Sequence, residues 1–384
     1  MDEQTRLIHE GRTPQRLART VGPPVQRGST VLLPNARALY DGSELSYGRS
    51  GLASHAALCE ALAALEGAER VALYPSGLAA MTGALLALLK AGDEVLLVDC
   101  AYRPTKRFCD NVLARFGVTT RLYDPKLDAA GVAALIGERT RAVILESPGS
   151  LSFEVQDVPG IAAVCRERGA LTLMDNTYGA GLLFKPLAHG VDVSCQALTK
   201  YVCGHADVFL GSAATRDPKL GKTLELAGHD IGWSVSPDDA YQALRGLRTL
   251  ETRLKQHEAS ALTVARWLEA QPQVARVLHP ALPGAPGHAL WRRDFSGASG
   301  LFAFELTPGS QKAVEALLDA LEVFGLGFSW GGFESLAIHC DPQFSNRKFK
   351  PDLAGPLVRL HIGLESPDDL IADLTRGLAV YAGA

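Results

Sequence analysis

Short apolar runs recur through the first part of the chain: VALY at 71–74, EVLLVD at 94–99, RAVILE at 141–146, LTLMDN at 171–176, VDVSCQAL at 191–198 and DVFLGSAA at 207–214. Within them apolar residues are near-continuous rather than alternating with polar ones, as expected of strands covered on both faces. Helical segments separate them. Strands that regularly alternate with helices predict an α/β fold built on a mostly parallel, doubly wound sheet. Ahead of the first strand, Leu58, Leu62 and Leu65 recur at helical spacing from Ser54 onward, and Gly67 stands at a plausible C-terminal stop. This predicts a helix about a dozen residues long.

The pattern changes toward both ends. The first fifty residues are rich in Pro, Gly, Arg and Ser, and Pro23, Pro24 and Pro34 interrupt any regular periodicity, so 1–50 reads as an extended arm. Near residue 245 long amphipathic segments (247–270, 311–322, 366–382) take over, with a few strands such as LFAFEL at 301–306. The expected organisation is the arm at 1–50, a large α/β domain at 51–245 and a smaller C-terminal α/β domain at 246–384.

Composition narrows the class. The chain has 384 residues, 47% hydrophobic and 21% charged, as in ordinary globular proteins and unlike disordered ones. A net charge of −4 gives no electrostatic reason to expect nucleic acid or an anionic membrane as partner. The most apolar stretch, 78–89, contains Thr82 and Gly83 and falls short of the roughly 20 residues that cross a bilayer. Met1 to Arg16 mixes acids, bases and polar residues and lacks the apolar core of a secretory signal. The seven cysteines are odd in number and form no C-x-x-C pair, so a reduced, cytoplasmic protein is expected.

In an open parallel sheet ligands bind beyond the carboxyl ends of the strands, so polar residues just past each run are the candidates for chemistry. Ser76-Gly77-Leu78 opens a helix after VALY, where an N-cap, free amides and the helix dipole could hold a phosphate. Asp175 closes LTLMD, and Lys200 follows VDVSCQAL, 25 positions further on. Alone, each has a plainer reading: a strand-to-helix turn, a capping or ion-paired carboxylate, a lysine reaching solvent. Together they form an ordered set that one cofactor, pyridoxal phosphate, requires: an anion site, an acid for its pyridine nitrogen and an amine for its aldehyde.

With that set in place, the chain resembles the Cys/Met-metabolism (transsulfuration) family of pyridoxal-phosphate enzymes, of fold type I. The resemblance runs from about Val21 to Glu365 and is carried by SYGRSG (46–51), LESPGSLSFEVQDVP (145–159), MDNTYGAG (174–181), TKYVCGHAD (199–207), HPALPG (279–284), RDFSG (293–297) and SWGGFESL (329–336). It implies Lys200 as the Schiff-base lysine, Asp175 as partner of the pyridinium nitrogen and Tyr102 as the residue stacked on the ring. Ser76, Gly77, Leu78 and Thr199 would hold the phosphate, and Tyr47 and Arg49 would reach the phosphate of a neighbouring subunit. Lys200, Tyr102 and Tyr47 would form the catalytic set. Arg359 would clamp the substrate carboxylate, with Ser329 beside it and Trp330 lining the entrance. No metal is implied.

Three departures bear on the reaction. Ala197 stands where many relatives carry a phosphate-binding Ser, and Leu52-Ala53-Ser54 replaces a common Asn-Pro-Thr, as in the branch of the family that cleaves Cβ–S bonds. Phe328 precedes Ser329, where relatives acting at Cγ usually carry Glu. The resemblance therefore implies a cytoplasmic carbon–sulfur lyase of methionine biosynthesis, a dimer of dimers, taking a small sulfur amino acid. The expected reaction is β-elimination of L-cystathionine to L-homocysteine, pyruvate and ammonia. The alternatives are γ-elimination, γ-replacement or cysteine desulfhydration on the same scaffold, or a non-catalytic regulator that binds pyridoxal phosphate or an amino acid.

Overall fold

The computed structural model describes residues 2–11, 20–42 and 44–383; positions 1, 12–19 and 43 of the expected arm lie outside the described residues. The six apolar runs pair within one seven-stranded sheet. Its strands are β1 (Arg70–Tyr74), β2 (Glu94–Val98), β3 (Thr119–Tyr123), β4 (Thr140–Glu146), β5 (Leu171–Asp175), β6 (Val193–Ala197) and β7 (Gly211–Thr215), in the order β1-β7-β6-β5-β4-β2-β3. Only β7 runs against its neighbours. The ends of β1, β2, β4, β5 and β6 therefore share one edge, where Glu146 of β4 stands opposite Asp175 of β5.

Two details differ from the sequence reading. Strand β3 (TTRLY) carries no continuous apolar run, because it is only partly buried up to Tyr123 and is not covered on both faces. The run at 207–214 becomes strand only from Gly211, and Phe209 is left 76% exposed. The helix Ala53–Glu66 ends where expected, with Gly67 in the left-handed conformation at φ 65°.

The arm is irregular over most of its described length, with single turns at Arg37–Leu39 and Gly48–Ser50 and one bridge between Thr30 and Tyr47. Its first residues depart from the expectation. Glu3–His9 forms a helix capped by Asp2, and Leu7 is buried in its own chain's core with Ala57, Leu58 and Ala61 of the helix Ala53–Glu66.

A second sheet contains β8 (Val274–Leu278), β9 (Leu301–Leu306), β10 (Gly325–Leu326), β11 (Leu336–His339) and β12 (Leu357–His361), ordered β10-β11-β12-β9-β8. It shares a core with the amphipathic helices Leu250–Glu269, Gln311–Asp319 and Pro367–Gly383 through Val264, Leu268, Phe304, Leu317 and Leu374. A buried ion cluster ties the turn at 341–347 to the large sheet. Lys106 Nζ reaches Asp99 Oδ1 at 2.6 Å, and Arg347 reaches Asp99 at 3.3 Å and Glu154 at 2.9 Å. Among the described residues no helix is long and apolar enough to cross a membrane.

Candidate active site

At the carboxyl edge of the large sheet, capped by segments of the second sheet, lies a cavity of about 460 Å³. Ser76, Gly77, Leu78, Tyr102, Asp175, Thr199, Lys200, Trp330 and Arg359 all line it. The residues from Ser76 to Lys200 meet because strand ends in a doubly wound sheet converge on one edge, and the second sheet with its loops brings Trp330 and Arg359 over that edge.

The helix Gly77–Leu88 starts at this edge. Ser76 Oγ accepts the Ala79 amide at 3.1 Å, and the amides of Gly77 and Leu78 have no carbonyl one turn earlier to bond, so they remain open to an anion. A Cβ on Gly77 would stand 2.2 Å from Ala197 Cβ, so the absence of a side chain at 77 lets this helix approach the end of β6. Thr199 adjoins this cradle, but its hydroxyl is engaged with Leu210, accepting from N at 2.9 Å and donating to O at 3.2 Å. A phosphate contact from that hydroxyl would have to displace the Leu210 carbonyl.

Asp175 is half-buried and accepts from Thr177 N at 3.0 Å and Thr177 Oγ1 at 2.5 Å. Burial raises its carboxyl above the usual range, against the Thr177 hydrogen bonds and the Lys200 charge. A carboxylate with hydrogen bonds and no salt-bridged cation fits a protonated pyridine nitrogen. Lys200 Nζ donates to Ser329 Oγ at 2.7 Å and lies 5.5 Å from the centre of the Trp330 ring. Burial, then the nearby Arg359 charge, lower its pKa to about 8, with Asp175 pulling the other way. The Ser329–Gly331 turn can lie this close because Gly331, at φ 85°, would carry any Cβ within 2.9 Å of Lys200.

Arg359, in the middle of β12, is 6% exposed. Its Nη2 donates to the carbonyls of Phe328 (2.9 Å) and Ser329 (3.1 Å), while Nε is buried without a partner. An incoming carboxylate would supply the missing acceptor. Trp330 lies beside Lys200 and packs on Tyr201; the exposed aromatics lining the cavity are Tyr102, Phe209 and Phe328, while Trp330 is partly buried.

Tyr47 and Arg49 do not line this cavity. Tyr47 is 46% exposed, and Arg49 donates to the His229 carbonyl at 2.6 Å. Sequence reasoning also passed over Glu146, which lines the cavity, accepts the Tyr102 amide at 2.7 Å and so fixes the start of the helix Arg103–Asn111. Burial and the neighbouring Asp175 push its carboxyl well up. The signal was available, since Glu146 closes an apolar run just as Asp175 does.

Comparison with known proteins gives consistent results. The profile of the family described as "Cys/Met metabolism PLP-dependent enzyme" matches residues 4–379. A Rhizobium johnstonii protein is 48% identical over 98% of this chain and 95% of its own length. The cystathionine beta-lyase of Salmonella typhimurium is 43% identical over 98% of both chains. The crystal structure of metB from Corynebacterium glutamicum superposes with a TM-score of 0.92 at 30% identity, covering 99% of this chain and 98% of that one.

Proposed function

We propose that this chain, which belongs to the Cys/Met-metabolism family of pyridoxal-phosphate-dependent enzymes, is a carbon–sulfur lyase that cleaves L-cystathionine at Cβ. The observation that carries the reading is the convergence of Lys200, Asp175 and Arg359 on one cavity, with Phe328 rather than an acid preceding Ser329. Bound there, pyridoxal phosphate supplies an electron sink for the pair left on Cα when its proton is removed.

The chain's residues do the rest. Arg359 holds the substrate carboxylate and so fixes the orientation of Cα. Lys200 Nζ, its proton affinity lowered by burial and Arg359, takes the Cα proton, and Ser329 Oγ holds Nζ in place. With the cofactor bound, the amides of Gly77 and Leu78 would anchor its phosphate, Asp175 would keep the pyridine nitrogen charged, and Tyr102 would lie against the ring. Cleavage of Cβ–S with return of a proton to sulfur releases L-homocysteine, and water converts the remaining three-carbon enamine to pyruvate and ammonia.

Product analysis tests the position of cleavage: pyruvate is expected as the dominant keto acid from L-cystathionine. Dominant 2-oxobutyrate would assign γ-elimination, and no keto acid would favour a binding protein without turnover.

The arm completes the site of a second copy. Tyr47 and Arg49 stand outside their own cavity, and among the described residues no cationic side chain is bonded beside the open amides of Gly77 and Leu78, which supports a closed dimer in which each site borrows both residues. Two such dimers could pair. The large domain would carry the cofactor, and the C-terminal domain would supply Arg359 and Ser329. Seven free cysteines support a reducing, cytoplasmic setting. Mixing inactive Lys200→Ala protein with inactive Arg49→Ala protein, once subunit exchange has been demonstrated, is expected to restore part of the activity; exchanged hybrids without recovery would place Arg49 outside the site.

A further inference from the structure

We propose that Arg103 recognises the distal carboxylate of the thioether substrate and so sets the preference for a substrate with an amino-acid group at each end. The inference rests on the lyase reading above.

Five cationic side chains line the cavity: Lys200, Lys106, Arg347, Arg359 and Arg103. Lys200 is the amine that the cofactor requires. Lys106 and Arg347 are neutralised within the buried cluster by Asp99 and Glu154. Arg359 is 6% exposed and donates to the carbonyls of Phe328 and Ser329, whose own hydroxyl accepts from Lys200. It therefore takes the carboxylate attached to the reacting Cα. Arg103 is different. It is exposed, and no carboxylate among the described residues pairs with it. Its one side-chain partner is neutral: the Asn346 amide oxygen, in the orientation that satisfies both groups, accepts from Nε at 2.8 Å and Nη2 at 3.2 Å. This contact orients the guanidinium without cancelling its charge.

Its place in the fold suits the task. Arg103 follows Tyr102 directly at the start of the helix Arg103–Asn111, and the Tyr102 amide is fixed on Glu146. On the other side, Asn346 is held because its backbone carbonyl accepts from Lys106 Nζ at 2.8 Å. The Asp175 carboxylate, with the Glu146 carboxyl group beside it, lies at the strand ends at the base of the cavity and disfavours a second substrate carboxylate there. A substrate bearing two carboxylates then places one on Arg359 and the other outward, where Arg103 offers a planar fork.

The test compares the cofactor-loaded natural chain with Arg103→Gln on two substrates. One is L-cystathionine; the other is S-(3-aminopropyl)-L-cysteine, the same thioether without its distal carboxylate. For the variant, kcat/KM for L-cystathionine is expected to fall about tenfold, while that for the aminopropyl compound changes less than about twofold. An equal fall on both, or no fall on either, overturns the proposal. Binding provides a second readout through the analogue of cystathionine in which a methylene replaces sulfur, which cannot lose a thiol. Its Kd, from calorimetry, is expected to rise about tenfold in Arg103→Gln. If the natural chain releases no pyruvate from either substrate, the lyase reading fails, and this Kd alone then decides for Arg103: a rise upholds the assignment and an unchanged value overturns it.

Discussion

Replacing Lys200 by alanine is expected to abolish the visible absorption of the lysine-bound cofactor and to lower elimination by at least about a hundredfold. Two functions meet in this side chain, attachment of the aldehyde and removal of the Cα proton, and no second lysine is placed to take them over. Lys106, the other lysine lining the cavity, is ion-paired to Asp99 at 2.6 Å. Borohydride treatment of the native protein should fix the cofactor to Lys200, and an unchanged visible spectrum after that treatment would remove the assignment. The lowered proton affinity of Lys200 gives a pH signature. Its amine is charged below about pH 8 and neutral above, because burial and Arg359 both disfavour the charged form. Only the neutral amine attacks an aldehyde. Cofactor loading of the cofactor-free protein should therefore speed up as pH rises through about 8 rather than through the value near 10.5 of a free lysine.

Replacing Asp175 by asparagine separates charge from shape. The amide oxygen of asparagine can still accept from Thr177 N and Oγ1, so the local structure should persist, and some cofactor should still bind. Without the negative charge the pyridine nitrogen is no longer held protonated, and turnover is expected to drop about a hundredfold or more. Stability should move the other way. A buried carboxyl with a raised pKa binds its proton more tightly in the folded than in the unfolded chain, so its favourable contribution is complete below the unfolded value and disappears as pH rises through the folded one. At neutral pH, cofactor-free Asp175→Asn should therefore melt no lower than the natural chain. Near-normal turnover in the variant would make Asp175 a structural residue only.

The contrast between Asp175 and Glu146 shows how far local pattern carries. Each closes an apolar run, and a rule about strand ends applies to both, yet only their pairing across β4 and β5 shows that two carboxylates stand side by side and that one of them bonds the Tyr102 amide. Strand β3 was missed for a related reason: its residues are only partly buried up to Tyr123, which leaves no continuous apolar run to read. Leu7 gave no warning of its burial, because one apolar side chain in a polar segment has no period. The Thr199 hydroxyl was legible as a residue beside Lys200 but not as one already bonded to Leu210.

By itself the sequence determined the alternation of buried strands and helices, and with it the α/β class and the edge on which Ser76, Gly77, Asp175 and Lys200 had to fall. These follow from periodicity and from turn and cap residues, which act over a few neighbouring positions. Tertiary structure alone decided that Arg359 loses its water and keeps an unpartnered Nε, that Lys200 rests on Ser329, and that Lys106 and Arg347 spend their charges on Asp99 and Glu154 while Arg103 keeps its own. Burial and charge pairing depend on which distant segments pack together, and that is set by the closure of the whole core rather than by any stretch of chain within it.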